Sequence, residues 1–223
     1  FRTFPLPGGE KAIREPRRAA LGLLFQIYGT ELLRKLDLSI TQAFTPQELE
    51  VLIGMLEKSI NSPYTSSAGR LFDAVASIIG IRQKIKFEGQ AAMELEYTLE
   101  GTDTNAFYRF RIDDKTNICI IDWEPIILDI ITDVHNHLPT EIMAAKFHNA
   151  MAEIVIEMAR RFGEKAVALS GGCFQNKYLT ERIIQRLKGE GFLPYWHQRI
   201  PPNDGGIALG QAVAIAHMES RNK

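Results

Sequence analysis

The sequence predicts an α/β protein whose residues 1–100 are mainly helical and whose residues 101–223 form an α/β lobe, the two making one domain. Three observations predict it. Residues 14–80 hold three apolar stretches at helical spacing, each with its own start or stop signal. Two short apolar runs, "AVALS" from Ala166 and "GFLPYWH" from Gly191, are separated by a helix-length segment, the pattern of a β-α-β unit. Both runs end in glycine-bearing turns, "SGG" and "PPNDGG", where α/β sheets place ligands.

Residues 14–28 come first, with Ala19, Leu23, Leu24 and Ile27 as the buried stripe and Gly29 as the stop. Arg14, Arg17 and Arg18 read as solvated charges on that helix, with a basic contact patch as the alternative. Thr45, Pro46 and Glu48 supply an N-cap, a first-turn proline and a capping carboxylate for a helix through about Lys58. Ser67 caps a third helix carrying Leu71, Phe72, Val75, Ile78 and Ile79, which ends near Gly80. "AAMELEYTLE" stays open between helix and strand. "AFYRFRI" reads as a strand and forms a hairpin with "NICIID" across Asp113 to Thr116. Helices follow over 125–135 and 140–162. The β-α-β unit comes next, and a helix from Asp204 to His217 closes the chain, with Gly210 read as a sign of close packing.

Composition narrows the function classes. The 223 residues are 45% apolar and 24% charged, with 26 basic against 27 acidic side chains and a net charge of -1. Such a balance offers no global field to a polyanion. No apolar run approaches the roughly 20 residues that span a bilayer, and the first residues lack the apolar centre of a secretory signal, so the expected location is cytoplasmic. Cys119 and Cys173 are the only cysteines, which excludes a disulfide scaffold or a four-cysteine zinc site.

The chemistry concentrates at the turns. Gly171 and Gly172 can adopt positive φ and let backbone N–H groups approach a ligand closely, which suits phosphate, although the spacing is neither a Walker loop nor a dinucleotide fingerprint. Asn176 is either a ribose or base contact or a helix cap, and Asp204 either a cap or a metal ligand. Cys173 reads as a small packed residue rather than a nucleophile. "TSSAGRLFDA" brings Ser67, Arg70 and Asp73 to a helix start, and Gly89 in "FEGQ" either turns the chain or makes room for a ligand. His135, His137 and His148 do not assemble a metal site by spacing.

Five strings in order, "FPLPGGEKAIREPRRAAL", "TSSAGRLFDAVASIIGI", "FEGQAAMELE", "ALSGGCFQNKYLTERI" and "PPNDGGIALGQA", resemble the C-terminal part of the HypF carbamoyltransferases, maturation factors of nickel-iron hydrogenases. A weaker likeness extends to the transferases that make threonylcarbamoyl-modified tRNA. The resemblance implies one lobe of an actin/Hsp70-like (ASKHA) nucleotide-binding fold. It implies ATP or carbamoyl-adenylate as ligand, and transfer of the carbamoyl group to the C-terminal cysteine of a HypE-type partner. By motif it assigns Ser67, Asp73, Gly89, Ser170, Gly171, Gly172 and Asn176 to the nucleotide and Asp204 to a divalent metal, with iron, zinc and magnesium undistinguished. The family's metal-binding string of the type HHxxH lies in a preceding lobe and has no counterpart in these residues. The resemblance therefore implies an incomplete metal site, a missing N-terminal lobe as partner and an isolated chain without activity; nucleic acid and membrane are not expected partners. The alternatives are a catalytically silent module that binds nucleotide or a partner protein, or a relative of the tRNA-modifying enzymes.

Overall fold

The computed structural model describes residues 1–34, 39–114 and 118–221, and it divides into two compact units, Phe1–Ala150 and Met151–Lys223.

In the first unit a short strand β1 (Phe4–Pro5) leads through the turn at Gly8 and Gly9 into helices α1 (Glu10–Arg14) and α2 (Pro16–Leu33). Proline at the first position of α2 has its φ preset for a helix and gives up only an N–H that would have no partner there. Gly29 breaks the helical dihedrals at φ 65°, so the expected stop is a kink followed by one more turn. Next come α3 (Ser39–Gln42) and α4 (Pro46–Glu57). The expected capping box is formed: Thr45 Oγ1 accepts from the Glu48 N–H at 3.1 Å while Glu48 Oε2 accepts from the Thr45 N–H at 3.1 Å. Strand β2 (Tyr64–Thr65) pairs antiparallel with β1, Phe4 opposite Thr65.

The core of this unit is α2 against α5 (Ala68–Ile78), where Ala19, Leu23 and Leu24 bury beside Leu71, Phe72, Val75 and Ile78. Gly22 is required there, because a Cβ would lie 1.8 Å from the carbonyl oxygen of Pro5. The ambiguous segment is helical, α6 (Gln90–Thr98), packed on α5. Only the ends of the expected hairpin are strand, β3 (Arg111–Asp113) and β4 (Ile120–Asp122), antiparallel with Ile112 opposite Ile121; residues 115–117 of its turn lie outside the described ones. Ahead of β3 the chain is irregular. It is pinned by Asn149, whose amide donates to the Thr104 and Ala106 carbonyls at 2.9 and 2.8 Å, and by buried Tyr108, whose hydroxyl donates to Asp133 at 2.9 Å. Helix α7 (Glu124–His135) follows, then α8 (Thr140–Phe162), whose first half belongs to this unit.

One expectation fails here. Arg17 and Arg18 are not solvated and make no basic patch: they are 3% and 9% exposed. Both guanidinium groups bond to Glu15, at 2.7 and 2.9 Å, while Arg17 also donates to the Ala43 carbonyl and stacks on Phe44. Local charge counting missed this, because the acceptors come partly from Pro7, Ala43 and Glu48, on other elements. Arg14 alone stays exposed.

The second unit continues α8 into β5 (Ala166–Leu169), α9 (Lys177–Gly189), β6 (Leu193–Trp196) and α10 (Ile207–Arg221). As expected, β5 and β6 are parallel, with Ala166 opposite Leu193 and Leu169 opposite Trp196. Helix α9 buries Leu179, Ile183 and Leu187, and Arg186 anchors it to α8 through two bonds to Glu153, at 2.6 and 2.9 Å. The other sheet face, with Ala166, Ala168, Leu193 and Tyr195, is exposed, as are Ile207, Leu209, Val213 and Ile215 of α10.

Candidate functional site

The candidate residues fall into two groups, one in each unit. In the first, Ser67 is extended (φ -67°, ψ 125°), and its hydroxyl accepts from the Arg70 N–H at 3.4 Å, so it caps α5 as its sequence context predicts. Capping fixes the phase of the helix and turns Asp73 inward, where it is 1% exposed. Arg70 Nη1 lies 2.9 Å from Asp73 Oδ2 and also donates to the Ile13 carbonyl at 3.4 Å. That contact is an ion pair without the geometry of a hydrogen bond, since neither Asp73 oxygen has a hydrogen-bond partner. Burial pushes the Asp73 carboxyl up to about 6; Arg70 opposes the shift and Glu88 adds to it. The residue after Glu88, Gly89, has φ 80°, and no atom lies within 4 Å of where its Cβ would stand. The neighbouring Gln90 of the "FEGQ" string and Glu94 hold this corner together: Gln90 accepts from the Lys86 N–H at 2.7 Å, and Glu94 takes both arms of Arg82 at 2.6 and 2.7 Å.

In the second group the chain leaves β5 through Ser170 and Gly171. Gly171 has φ 109°, which a side chain would strain. Gly172 does not share the positive φ expected for it; it opens a 3-10 turn, Gly172–Gln175. Space is open at both glycines. The Gly171 N–H donates to the Pro202 carbonyl at 2.8 Å, which ties the "SGG" turn to the "PPNDGG" turn at the C-terminal end of two adjacent parallel strands. Asn176 Oδ1 accepts from the Leu179 N–H at 2.8 Å and so caps α9. At the second turn the capping side chain is Asn203, whose Oδ1 accepts from the Gly205 N–H at 3.1 Å, while Asp204 is exposed beside it. Gly206 is forced by close approach, its missing Cβ only 2.7 Å from the Pro201 carbonyl oxygen. Gly210 is not: nothing lies within 4 Å of its Cβ position, contrary to the close packing expected of it.

No three histidine, cysteine, aspartate or glutamate side chains among the described residues come together as a metal site, so Asp204 stands as a single carboxylate. His148 is fully buried against Phe72 and Phe147, and its Nδ1–H donates to the Ala144 carbonyl at 2.8 Å. Burial pushes its imidazole down to about 4, against the pull of that bond, which suits a neutral core residue. Cys173 is half-buried. One rim residue escaped the sequence reading. His197 directly follows β6 as Ser170 directly follows β5, and its Nε2 lies 3.1 Å from Ser170 Oγ. The parallel register of two short strands was the signal that could have found it. No described helix is long and apolar enough to cross a membrane.

Known proteins are similar to this chain in sequence and fold. The family description "Carbamoyltransferase, Kae1-like Domain, second subdomain" matches residues 1–211. The chain is 36% identical to the carbamoyltransferase HypF of Synechocystis sp., over 96% of the chain and 29% of that protein. It is 37% identical to HypF of Rhodobacter capsulatus, over 99% of the chain and 28% of that protein. It thus spans under a third of the length of these relatives. A crystal structure of full-length HypF in the phosphate- and nucleotide-bound form superposes with a TM-score of 0.84 at 36% identity, covering 98% of this chain and 28% of that one. HypF of T. kodakarensis gives a TM-score of 0.81 at 28% identity, covering 99% and 30%. Similarity to a tRNA N6-adenosine threonylcarbamoyltransferase of Dictyoglomus turgidum is weaker, 25% identity over 65% of the chain and 43% of that protein. With the expected ASKHA-type fold matched and the family description covering residues 1–211, the chain belongs to the HypF carbamoyltransferase family.

Proposed function

We propose that this chain is the nucleotide-contacting C-terminal portion of an ATP-dependent carbamoyltransferase that acts in synthesis of the cyanide ligands of nickel-iron hydrogenase. In this reading the complete enzyme makes carbamoyl-adenylate from carbamoyl phosphate and ATP, consuming a water and releasing phosphate and pyrophosphate. The C-terminal cysteine thiolate of a HypE-type partner then attacks the carbamoyl carbon; a C–S bond forms, the C–O bond to the phosphate breaks and AMP departs. The observation that carries the reading is the Gly171–Pro202 bond, which fuses two glycine-bearing turns into one rim with room for a ligand beside it.

The roles divide by chemistry. Ser170, Gly171 and Gly172 take the phosphate end, and the Asn176 amide adds a polar contact. The family motif assigns Asp73 to the ribose: its two oxygens lack hydrogen-bond donors, and at 1% exposure they meet a ribose diol only once the side chains over them move aside. Gly89, with open space at its Cβ position, makes room for the adenosine, and Ser67 fixes the helix start that presents Asp73. A lone exposed carboxylate does not hold a divalent cation. Asp204 therefore contributes one ligand at most, and no step is assigned to a metal on the strength of these residues. A preceding lobe is the expected partner. In support, a parallel sheet is normally covered on both faces and an apolar helix is normally buried, yet the Ala166–Tyr195 face and α10 are bare. A tRNA substrate is disfavoured, because Arg17 and Arg18 are spent inside the first unit.

The test is carbamoylation of a partner's C-terminal cysteine, followed by mass spectrometry with the full-length polypeptide. Gly171→Val, strained at φ 109°, is expected to lower the rate at least about tenfold. An unchanged rate would remove the rim from the site. The 223 residues alone are expected to transfer nothing.

A further inference from the structure

Ser170 and His197 are not placed by packing. Both side chains are exposed, and each is the first residue beyond its strand, so the parallel pairing of Leu169 with Trp196 sets them side by side. The result is the 3.1 Å contact between Ser170 Oγ and His197 Nε2. An exposed hydrogen bond between two neutral side chains adds little to stability. What it does fix is the direction of the serine hydroxyl. A hydroxyl has one hydrogen, and a phosphoryl oxygen is only an acceptor, so Ser170 can serve such an oxygen only if its hydrogen is not already given to the imidazole. The Gly171 N–H does not make up for it, because it is already committed to the Pro202 carbonyl.

We infer that His197 is a positioning residue of the phosphate rim: its Nε2–H donates to Ser170 Oγ and so leaves the serine hydrogen to bond a phosphoryl oxygen of the nucleotide. This rests on the nucleotide reading of the rim given above. The tautomer follows from the ligand's chemistry, since an imidazole with bare Nε2 would take the serine hydrogen and present lone pairs to an anion. His197 itself need not touch the nucleotide.

The test uses the full-length polypeptide and two probes, ATP and adenosine, titrated by calorimetry. His197→Ala and Ser170→Ala are each expected to weaken ATP binding about tenfold and to leave adenosine binding and the thermal midpoint unchanged. The double variant is expected to lose no more than either single one, because both act through the one Ser170–phosphoryl bond. His197→Gln keeps an N–H near the Nε2 position and is expected to recover most of the affinity. The ¹⁵N shifts of His197 in the ATP complex are expected to report a protonated Nε2. Additive losses, equal loss of adenosine binding, or a bare Nε2 in the complex would overturn the inference. If the wild type binds ATP and His197→Ala binds it equally well, the pair alone is wrong. If the wild type binds no ATP, the nucleotide reading fails and takes the pair with it.

Discussion

The two units solve the same problem, how to hold a polar site residue still, in opposite ways. In the first, the charged candidate is held by burial: Asp73 is 1% exposed, and its helix α5 is packed against α2. In the second, every candidate from Ser170 to Asp204 is exposed or half-buried, and its position is set by backbone, through the Gly171–Pro202 bond and the caps at Asn176 and Asn203. Burial tunes a charge, and that is what Asp73 displays. Backbone anchoring leaves charge alone but fixes donors and open space, which is what a phosphate rim needs.

The largest expected effect breaks the comparison at its packed end. Gly22→Ala places a methyl group where a Cβ lies 1.8 Å from the Pro5 carbonyl, so α2 must leave β1 or distort. A backbone oxygen cannot rotate aside as a side chain would. The loss expected by urea denaturation is about 4 kcal/mol or more. A loss below about 1 kcal/mol would mean that the first unit yields as readily as the exposed second one.

A smaller effect concerns charge. The folded Asp73 carboxyl titrates near 6, above the roughly 3.9 of an unfolded aspartate. Its neutral form is therefore the one favoured by folding. The stability it contributes is fully present below about pH 4 and is lost as pH rises through 6. Asp73→Asn, permanently neutral, is expected to be more stable than the wild type by up to about 3 kcal/mol at pH 8, with the difference vanishing near pH 4. Nucleotide binding is expected to fall in the same variant, as stability traded for a site. Denaturation curves at the two pH values check the sign, and a difference independent of pH would mean that burial does not set this carboxyl.

How much of this was legible in the sequence follows the same division. Local signals read well: the Thr45–Glu48 box, the Ser67 cap, the two parallel strands and both rim turns stand where the sequence put them. The caps and turns depend on neighbours within a few residues, and the strand pairing follows from the β-α-β pattern without naming any side-chain contact. What was missed depends on partners far along the chain. Arg17 looked solvated because its Ala43 acceptor is 26 positions away, and His197 went unnoticed because Ser170 is 27 positions away. The orphaned state of Asp73 was equally invisible, since only the fold says which donors fail to reach it. The family resemblance supplied Asp73 as a candidate, and the fold supplies the reason it is an unusual one.

Gly210 gives the smallest effect and the sharpest use of the comparison. The sequence reading took it for a close-packing glycine, yet a Cβ there meets nothing within 4 Å, and α10 exposes Leu209 and Val213 beside it. In an uncovered helix a glycine only costs backbone entropy. Gly210→Ala is therefore expected to stabilise the 223 residues by about 0.5–1 kcal/mol, measured by urea denaturation. If the proposed preceding lobe covers α10 in the full-length polypeptide, the same methyl group has to fit against it, and the gain should shrink or reverse there. An equal gain in both forms would mean that α10 stays bare at this position, and the closely covered helix inferred from its apolar surface would have to be given up.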